Sequence, residues 1–173
     1  MTQFLGTHQN KLDAKGRVSV PAAFRAALRQ NGENNGNGPR NGEPTGNGSN
    51  GNCHGTPLVL RPSHKHPCIE AWPLAEFQAL SEPLDRYDLF SEEHDDLANT
   101  LFANAYPVEA DKEGRIVLPD ILIAHAGLGE SVVFMGLGRI FQIWEPQAAE
   151  RRQQEARERA RSRGLTLRSP GVQ

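Results

Sequence analysis

Apolar and polar positions along the chain fall into two sets of similar design. Val18 and Val20 alternate with Arg17 and Ser19, the period of a strand with one buried face. Ile116-Val117-Leu118 is apolar throughout, so its strand is expected to be more deeply covered. A polar turn precedes each, Ala14-Lys15-Gly16 or Lys112-Glu113-Gly114. A proline follows each, Pro21 or Pro119, where it suits the first turn of a helix. Phe24, Ala27 and Leu28 then recur at helical spacing, as do Ile121, Leu122, His125 and Ala126, with Gly127 as a C-terminal stop. Two strand pairs come next: 57–61 with 68–72, and 131–136 with 139–144, the latter turning at Leu137-Gly138. Further helices are expected over 74–80, after Pro73, and over 86–105, where Phe90, His94, Leu97 and Leu101 form one stripe. A third spans 147–163, with alanine as its only apolar content and Glu155 and Arg159 paired at i,i+4.

The two sets are an internal repeat. L-D-A-K-G-R-V-S-V-P at 12–21 matches A-D-K-E-G-R-I-V-L-P at 110–119, with Asp13, Gly16, Arg17 and Pro21 on Asp111, Gly114, Arg115 and Pro119 at a shift of 98. I-E-A-W-P at 69–73 resembles F-Q-I-W-E at 141–145, with Trp72 on Trp144 at a shift of 72. The difference of 26 is the length of Asn31–Thr56, a segment with eight Asn, eight Gly and no Val, Ile, Leu, Met or aromatic residue. It is read as an insertion into copy one, a disordered loop too poor in apolar area to offset its ordering entropy. Each copy then reads strand, turn, strand, helix, strand, strand. Such a unit is too small to bury its own apolar face, and two copies complete one barrel between them.

The insertion accounts for a hydrophobic content of 37%, against roughly 45–50% in an ordinary globular chain. It also contains decoys. Gly46, Gly48 and Gly51 match a dinucleotide fingerprint without its strand and helix, and Asn47-Gly48-Ser49 matches a glycosylation sequon without an export signal. The formal charge of −2 hides an asymmetry: 81–99 holds seven carboxylates and one Arg, whereas 150–168 holds seven Arg and three Glu. That excludes a uniformly basic nucleic-acid coat but not a local basic site. No run of about 18 apolar residues is present, and Met1–Asn10 lacks the features of a leader. Two cysteines make no disulfide framework, so a reduced, cytoplasmic setting is expected.

The duplicated D-x-x-G-R pattern is similar to the bacterial MraZ family, as are H-A-G-L at 125–128 and K-H-P-C-I-E-A-W-P at 65–73. The resemblance covers residues 1–150 apart from the insertion; the insertion and the Arg-rich tail depart from the common pattern. It implies an α+β, β-rich fold: a swapped-hairpin AbrB-like β-barrel formed by two tandem repeats, with flanking helices. The implied division is repeat one over 7–76, a helical connector over 77–104, repeat two over 105–148 and an Arg-rich helix and tail over 149–173. It also implies a homo-oligomeric ring on the nucleoid that regulates the division and cell-wall gene cluster, and it maps a D-x-x-x-R motif onto Asp13 with Arg17 and Asp111 with Arg115.

The residues support a compatible chemistry by themselves. An arginine fork on a tight glycine turn can pair with guanine N7 and O6 in the major groove. Arg17 and Arg115 are therefore the candidate base readers; Lys11, Lys15, Lys112 and Arg25 are candidate contacts to double-stranded DNA. Gly16 and Gly114 give the turns their shape, while Asp13 and Asp111 accept turn N–H groups or orient the arginines. Lys11, Lys15 and Arg17 against Asp13 make turn one net positive; Lys112 and Arg115 against Glu109, Asp111 and Glu113 make turn two net negative. The competing reading of each turn is a hairpin with a solvated arginine. Two copies that both keep the Arg weigh against it, because a turn needs Gly more than it needs Arg.

Cys53, His54, His64, His66 and Cys68 are zinc-ligand types without a zinc spacing; alternation puts His64, His66 and Cys68 on one strand face, but such a face is more often just packed, so no metal and no cofactor is assigned. Catalytic motifs are absent, and Glu92, Glu93, Asp95 and Asp96 read as the wet face of a helix, so no enzyme is expected. A ring that presents many weak turns gains avidity for a promoter with repeated elements. The alternative is an AbrB-like antitoxin or protein-interaction module whose tail wraps a partner. No membrane partner is expected.

Overall fold

A computed structural model describes residues 3–34 and 57–167. In copy one, β1 (Thr7–Lys11) and β2 (Arg17–Ser19) precede α1 (Ala22–Asn34), β3 (Leu58–Pro62) and β4 (Ile69–Pro73). The connector holds α2 (Leu74–Gln78), α3 (Ser81–Leu84), α4 (Glu92–Ala98) and a π-helical turn at Asn99–Ala103. Copy two repeats the order with β5 (Tyr106–Val108), β6 (Arg115–Val117), α5 (Asp120–Ala126), β7 (Ser131–Gly136) and β8 (Phe141–Trp144), and α6 (Pro146–Ser162) follows.

The strands assemble across the copies. The main sheet is antiparallel and runs β1-β7-β8-β4-β3-β5; β2 and β6 form a separate pair. The first strand of each copy pairs with the third strand of the other: Gln9 faces Val133, and Val59 faces Pro107. Val18 faces its own counterpart Ile116, and Glu70 faces its counterpart Gln142. An antiparallel pair of equivalents has a local two-fold axis through it, so the sequence repeat is also an approximate symmetry of the fold. The sheet remains open, with β1 and β5 as edges, so among the described residues the expected closed barrel does not form.

Helices follow the same exchange. Phe24 of α1 lies 5.0 Å from Phe141 and 6.4 Å from Phe134, rings of copy two, while α5 packs on β3 and β4 of copy one. Phe4 closes this cluster at 5.4 Å from Phe24 and 5.0 Å from Phe141. All four rings are buried in a core that also takes Val18, Ile116, Leu118 and Leu122. Both prolines stand just before their helices, and their carbonyls accept the first helical N–H groups.

Four expectations need correction. Strand β6 is no more deeply covered than β2: each buries its middle residue, and Val117 is 55% exposed. The insertion does not begin as a loop, because α1 continues through Asn34. Its counterpart α5 ends at Gly127, in the left-handed region at φ 60°; copy one has Arg29 at that place and lacks the stop. The expected helix over 86–105 begins only at Glu92. Ser91 caps it by accepting the His94 N–H at 3.1 Å, and that leaves Phe90 on a preceding turn, 92% exposed, off the expected stripe. His64, His66 and Cys68 do not share a strand face, since β3 ends at Pro62 and β4 starts at Ile69. The Gly46–Gly51 decoy, the sequon, Cys53 and His54 lie outside the described residues.

Candidate nucleic-acid interface

The two repeated turns are built alike. Asp13 Oδ1 accepts the backbone N–H of Lys15 at 2.9 Å and of Arg17 at 2.8 Å; its Oδ2 accepts Arg17 Nε–H at 2.8 Å. Asp111 Oδ1 accepts the N–H of Glu113 and of Arg115, both at 2.9 Å, and its Oδ2 accepts Arg115 Nε–H at 3.0 Å. Gly16 and Gly114 both hold φ 78° and donate to the carbonyls of Asp13 and Asp111. The oxygens of each Asp face the turn's own donors. The backbone N–H of the following arginine is the first cause that holds each carboxyl below its ordinary value of 3.8, with that arginine's side chain adding to it.

Tying Nε–H to the Asp orients the arginine and leaves its outer Nη1–Nη2 edge, itself a two-donor fork. Arg17 and Arg115 side chains are 36% and 35% exposed. They differ at that outer edge. Glu113, which stands where copy one has Lys15, forms an ion pair with Arg115 Nη2. Hydrogen bonding to Asp111 therefore raises the Arg115 pKa, with Glu113 contributing.

The turns brace one another. Val20 N–H donates to the Gly114 carbonyl at 2.9 Å, and Leu118 N–H to the Gly16 carbonyl at 2.8 Å. Each turn backs on the other copy's helix. A Cβ on Gly16 would meet the Leu118 carbonyl at 3.0 Å and Ile123 at 3.5 Å; a Cβ on Gly114 would collide with Arg25. Arg25 and Ile123 are equivalents, so an arginine lies under turn two and an isoleucine under turn one. Arg25 Nη1 donates to the Glu113 carbonyl at 3.4 Å, and its Nε is enclosed without a hydrogen-bond partner among the described residues. Lys11, Lys15 and Lys112 are exposed around the turns. Asp120 and Glu130 line the groove beside turn one with Lys11 and Asp13.

These placements change the charge count made along the chain. Arg25 joins turn two, and two carboxylates of copy two join turn one. A signal for the first was present in the repeat, which aligns Arg25 with Ile123; none marked Asp120 and Glu130.

The former zinc candidates have other occupations. His64 Nδ1 sits 2.9 Å from Arg61 Nη2, and burial pushes the Cys68 thiol up to about 12. Arg61, 1% exposed, donates Nε–H to Glu70 at 3.0 Å and Nη1–H to the Thr100 carbonyl at 3.3 Å. Trp72 Nε1–H donates to Glu70 and Trp144 Nε1–H to Gln142, the same contact at equivalent places.

A duplicated antiparallel unit that displays two Asp-ordered arginine turns is the class these features define. The family model for the MraZ protein, whose description includes the words antitoxin-like, matches residues 3–33 and 101–167. The chain belongs to the MraZ family. It is 59% identical over 165 residues to the transcriptional regulator MraZ of Gluconacetobacter diazotrophicus, covering 95% of this chain and 92% of that one. Identity to that of Gluconobacter oxydans is 55% over 163 residues, 94% and 87% of the two chains; to that of Rickettsia canadensis it is 35% over 169 residues, 98% and 99%. The family match runs through residue 167, so the Arg-rich helix belongs to the pattern rather than departing from it.

Proposed function

We propose that this chain is a transcriptional regulator that binds double-stranded promoter DNA sequence-specifically, through the paired turns at Arg17 and Arg115. The observation that carries the reading is the repeated Asp clamp, which fixes each arginine by Nε and turns its outer fork outward, open at Arg17 among the described residues and shared with Glu113 at Arg115. Lys15, Lys112 and Lys11 contact phosphate, and Arg25 supports turn two from beneath. The names of the MraZ relatives support the regulatory role.

The pairing of each first strand with the other copy's third strand supports a swapped-hairpin, AbrB-like unit, with repeats over 7–76 and 105–148, a connector over 77–104 and a basic helix beyond. The finer reading is a homo-oligomeric ring on the nucleoid that engages repeated elements ahead of the division and cell-wall genes. A ring multiplies weak turns into avidity, which a chain of net charge −2 needs.

The antitoxin-like wording favours a second reading, a protein-interaction module. Against it, the Arg-rich helix is anchored: Ala149 is buried beside Trp144, and Gln153 donates to Thr7 at 2.8 Å, so it is not a free wrapping tail. A gel-shift titration against the chain's own upstream DNA tests the first reading. Saturable binding that outcompetes random duplex is the expected result; equal affinity for both removes the sequence-specific role.

A further inference from the structure

The described surface carries two patches of opposite charge that lie apart on the chain. The first is Phe90. It stands 92% exposed, with Leu89 at 67%, on a turn between α3 and α4. The turn is tied down: Phe90 N–H donates to Asp88 Oδ1 at 3.0 Å, and the Ser91 hydroxyl donates to the Asp88 carbonyl at 2.7 Å. Asp88, Glu92, Glu93 and Asp95 flank it along the chain, so the apolar knob has an acidic collar in its own segment.

The second patch is a groove between the start of β1, the end of β7 and α6. Met135, Leu137 and Ala156 give it an apolar floor; Arg152 and Arg157 stand on its helical wall. Leu137 is 50% exposed, and Arg152 Nη1 is enclosed without a hydrogen-bond partner among the described residues. An enclosed, unpaired guanidinium N–H is costly to leave so. Burial lowers the pKa of His66 beside it, with Arg152 adding to the shift, so the arginines supply the groove's positive charge near neutral pH.

Within one chain the patches sit toward opposite sides of the sheet. The connector packs on β4 and β3, through Phe77 against Trp72 and the Thr100 carbonyl against Arg61, whereas the groove opens at β1 and β7. Strands β3 and β1 are four spacings apart, about 19 Å.

We propose that Phe90 of one chain inserts into the Arg152–Arg157 groove of a second copy of the same chain, its acidic collar pairing with those arginines. The knob and the groove are different surfaces, so the contact is head-to-tail and propagates until the assembly closes. It gives the sequence's charge asymmetry a use: the acidic connector and the basic helix answer each other between chains. The inference rests on the homo-oligomer reading above and names the surfaces that build it.

Sedimentation velocity on the full chain tests it. Phe90→Asp damages only the knob; Leu137→Asp with Arg157→Glu damages only the groove. All three positions are exposed, and circular dichroism checks that each variant is folded. The expected result is an oligomeric wild type, loss of every species above monomer in each variant alone, and a dimer when the two variants are mixed in equal amounts, because one intact knob then meets one intact groove. A wild-type oligomer that persists in Phe90→Asp overturns this contact alone, and so does a mixture that stays monomeric. A monomeric wild type overturns the contact and the homo-oligomer reading together.

Discussion

Asp13 and Asp111 each gather two backbone N–H groups and one guanidinium into a single turn, and the consequences differ between the copies only through neighbouring residues. Among the described residues Arg17 has an unclaimed outer fork, whereas Arg115 shares its fork with Glu113. Arg17→Ala is therefore expected to weaken operator binding roughly ten- to hundredfold, the size of a lost bidentate base contact, with a smaller loss for Arg115→Ala. Glu113→Ala should strengthen binding by freeing Arg115. Fluorescence anisotropy on each variant decides, and equal losses at the two arginines would remove the asymmetry. Net turn charge, counted along the chain, points the same way; Arg25, Asp120 and Glu130 change that count once the copies interlock, and the Glu113 clamp takes its place. Acid should loosen both turns. Each Asp is held below 3.8 in the fold, so the unfolded chain binds more protons near that value; the stabilisation is full above it and fades as pH falls through the lower folded value. A double Asp13→Asn, Asp111→Asn variant should lose less Tm than wild type between pH 5 and pH 3, in the same range. Parallel melting curves across that interval would contradict the clamp.

The elements show which signals a linear reading can use. Alternation and turn residues marked the strands, and Gly127 marked the end of α5, because those constraints are local. The end of α1 was missed since no glycine stands at Arg29, and the break at Ser91 was missed because the stripe's spacing overrode a cap that the residue type itself advertised. Phe24 is the element-scale anchor, fully buried among rings of the other copy. Phe24→Ala should cost about 3–5 kcal/mol and still give one cooperative transition, because helix and partner strands belong to different repeats. Calorimetry showing two transitions would mean that the repeats unfold separately. Removing residues 37–54 should leave Tm and DNA affinity unchanged within error: copy two connects α5 to β7 directly, and a shorter connection lowers closure entropy only slightly, about 0.6 kcal/mol per halving. A deletion variant that aggregates would show that the segment contributes to the fold.

At the scale of the whole molecule, neither repeat is a unit. Strand pairing, helix packing and turn bracing all cross from one copy to the other, and the two pairs of equivalents, Val18 with Ile116 and Glu70 with Gln142, mark the axis that relates them. The duplication was legible in the residues and so was the need for two copies to share a core. The open sheet was not, because closure depends on strand twist and register between distant segments. Nor was the buried Arg61–Glu70 pair, whose partners are set by the path of the connector over β3. What the molecule does turns on whether the paired arginine turns are its reading heads. The most direct test is fluorescence anisotropy of wild type and the double Arg17→Ala, Arg115→Ala variant, against upstream promoter DNA and a scrambled duplex, across a salt series. The double variant should keep its fold and its residual affinity for the scrambled duplex but lose its preference for the promoter. A variant that still prefers the promoter as strongly as wild type would show that the turns do not read DNA.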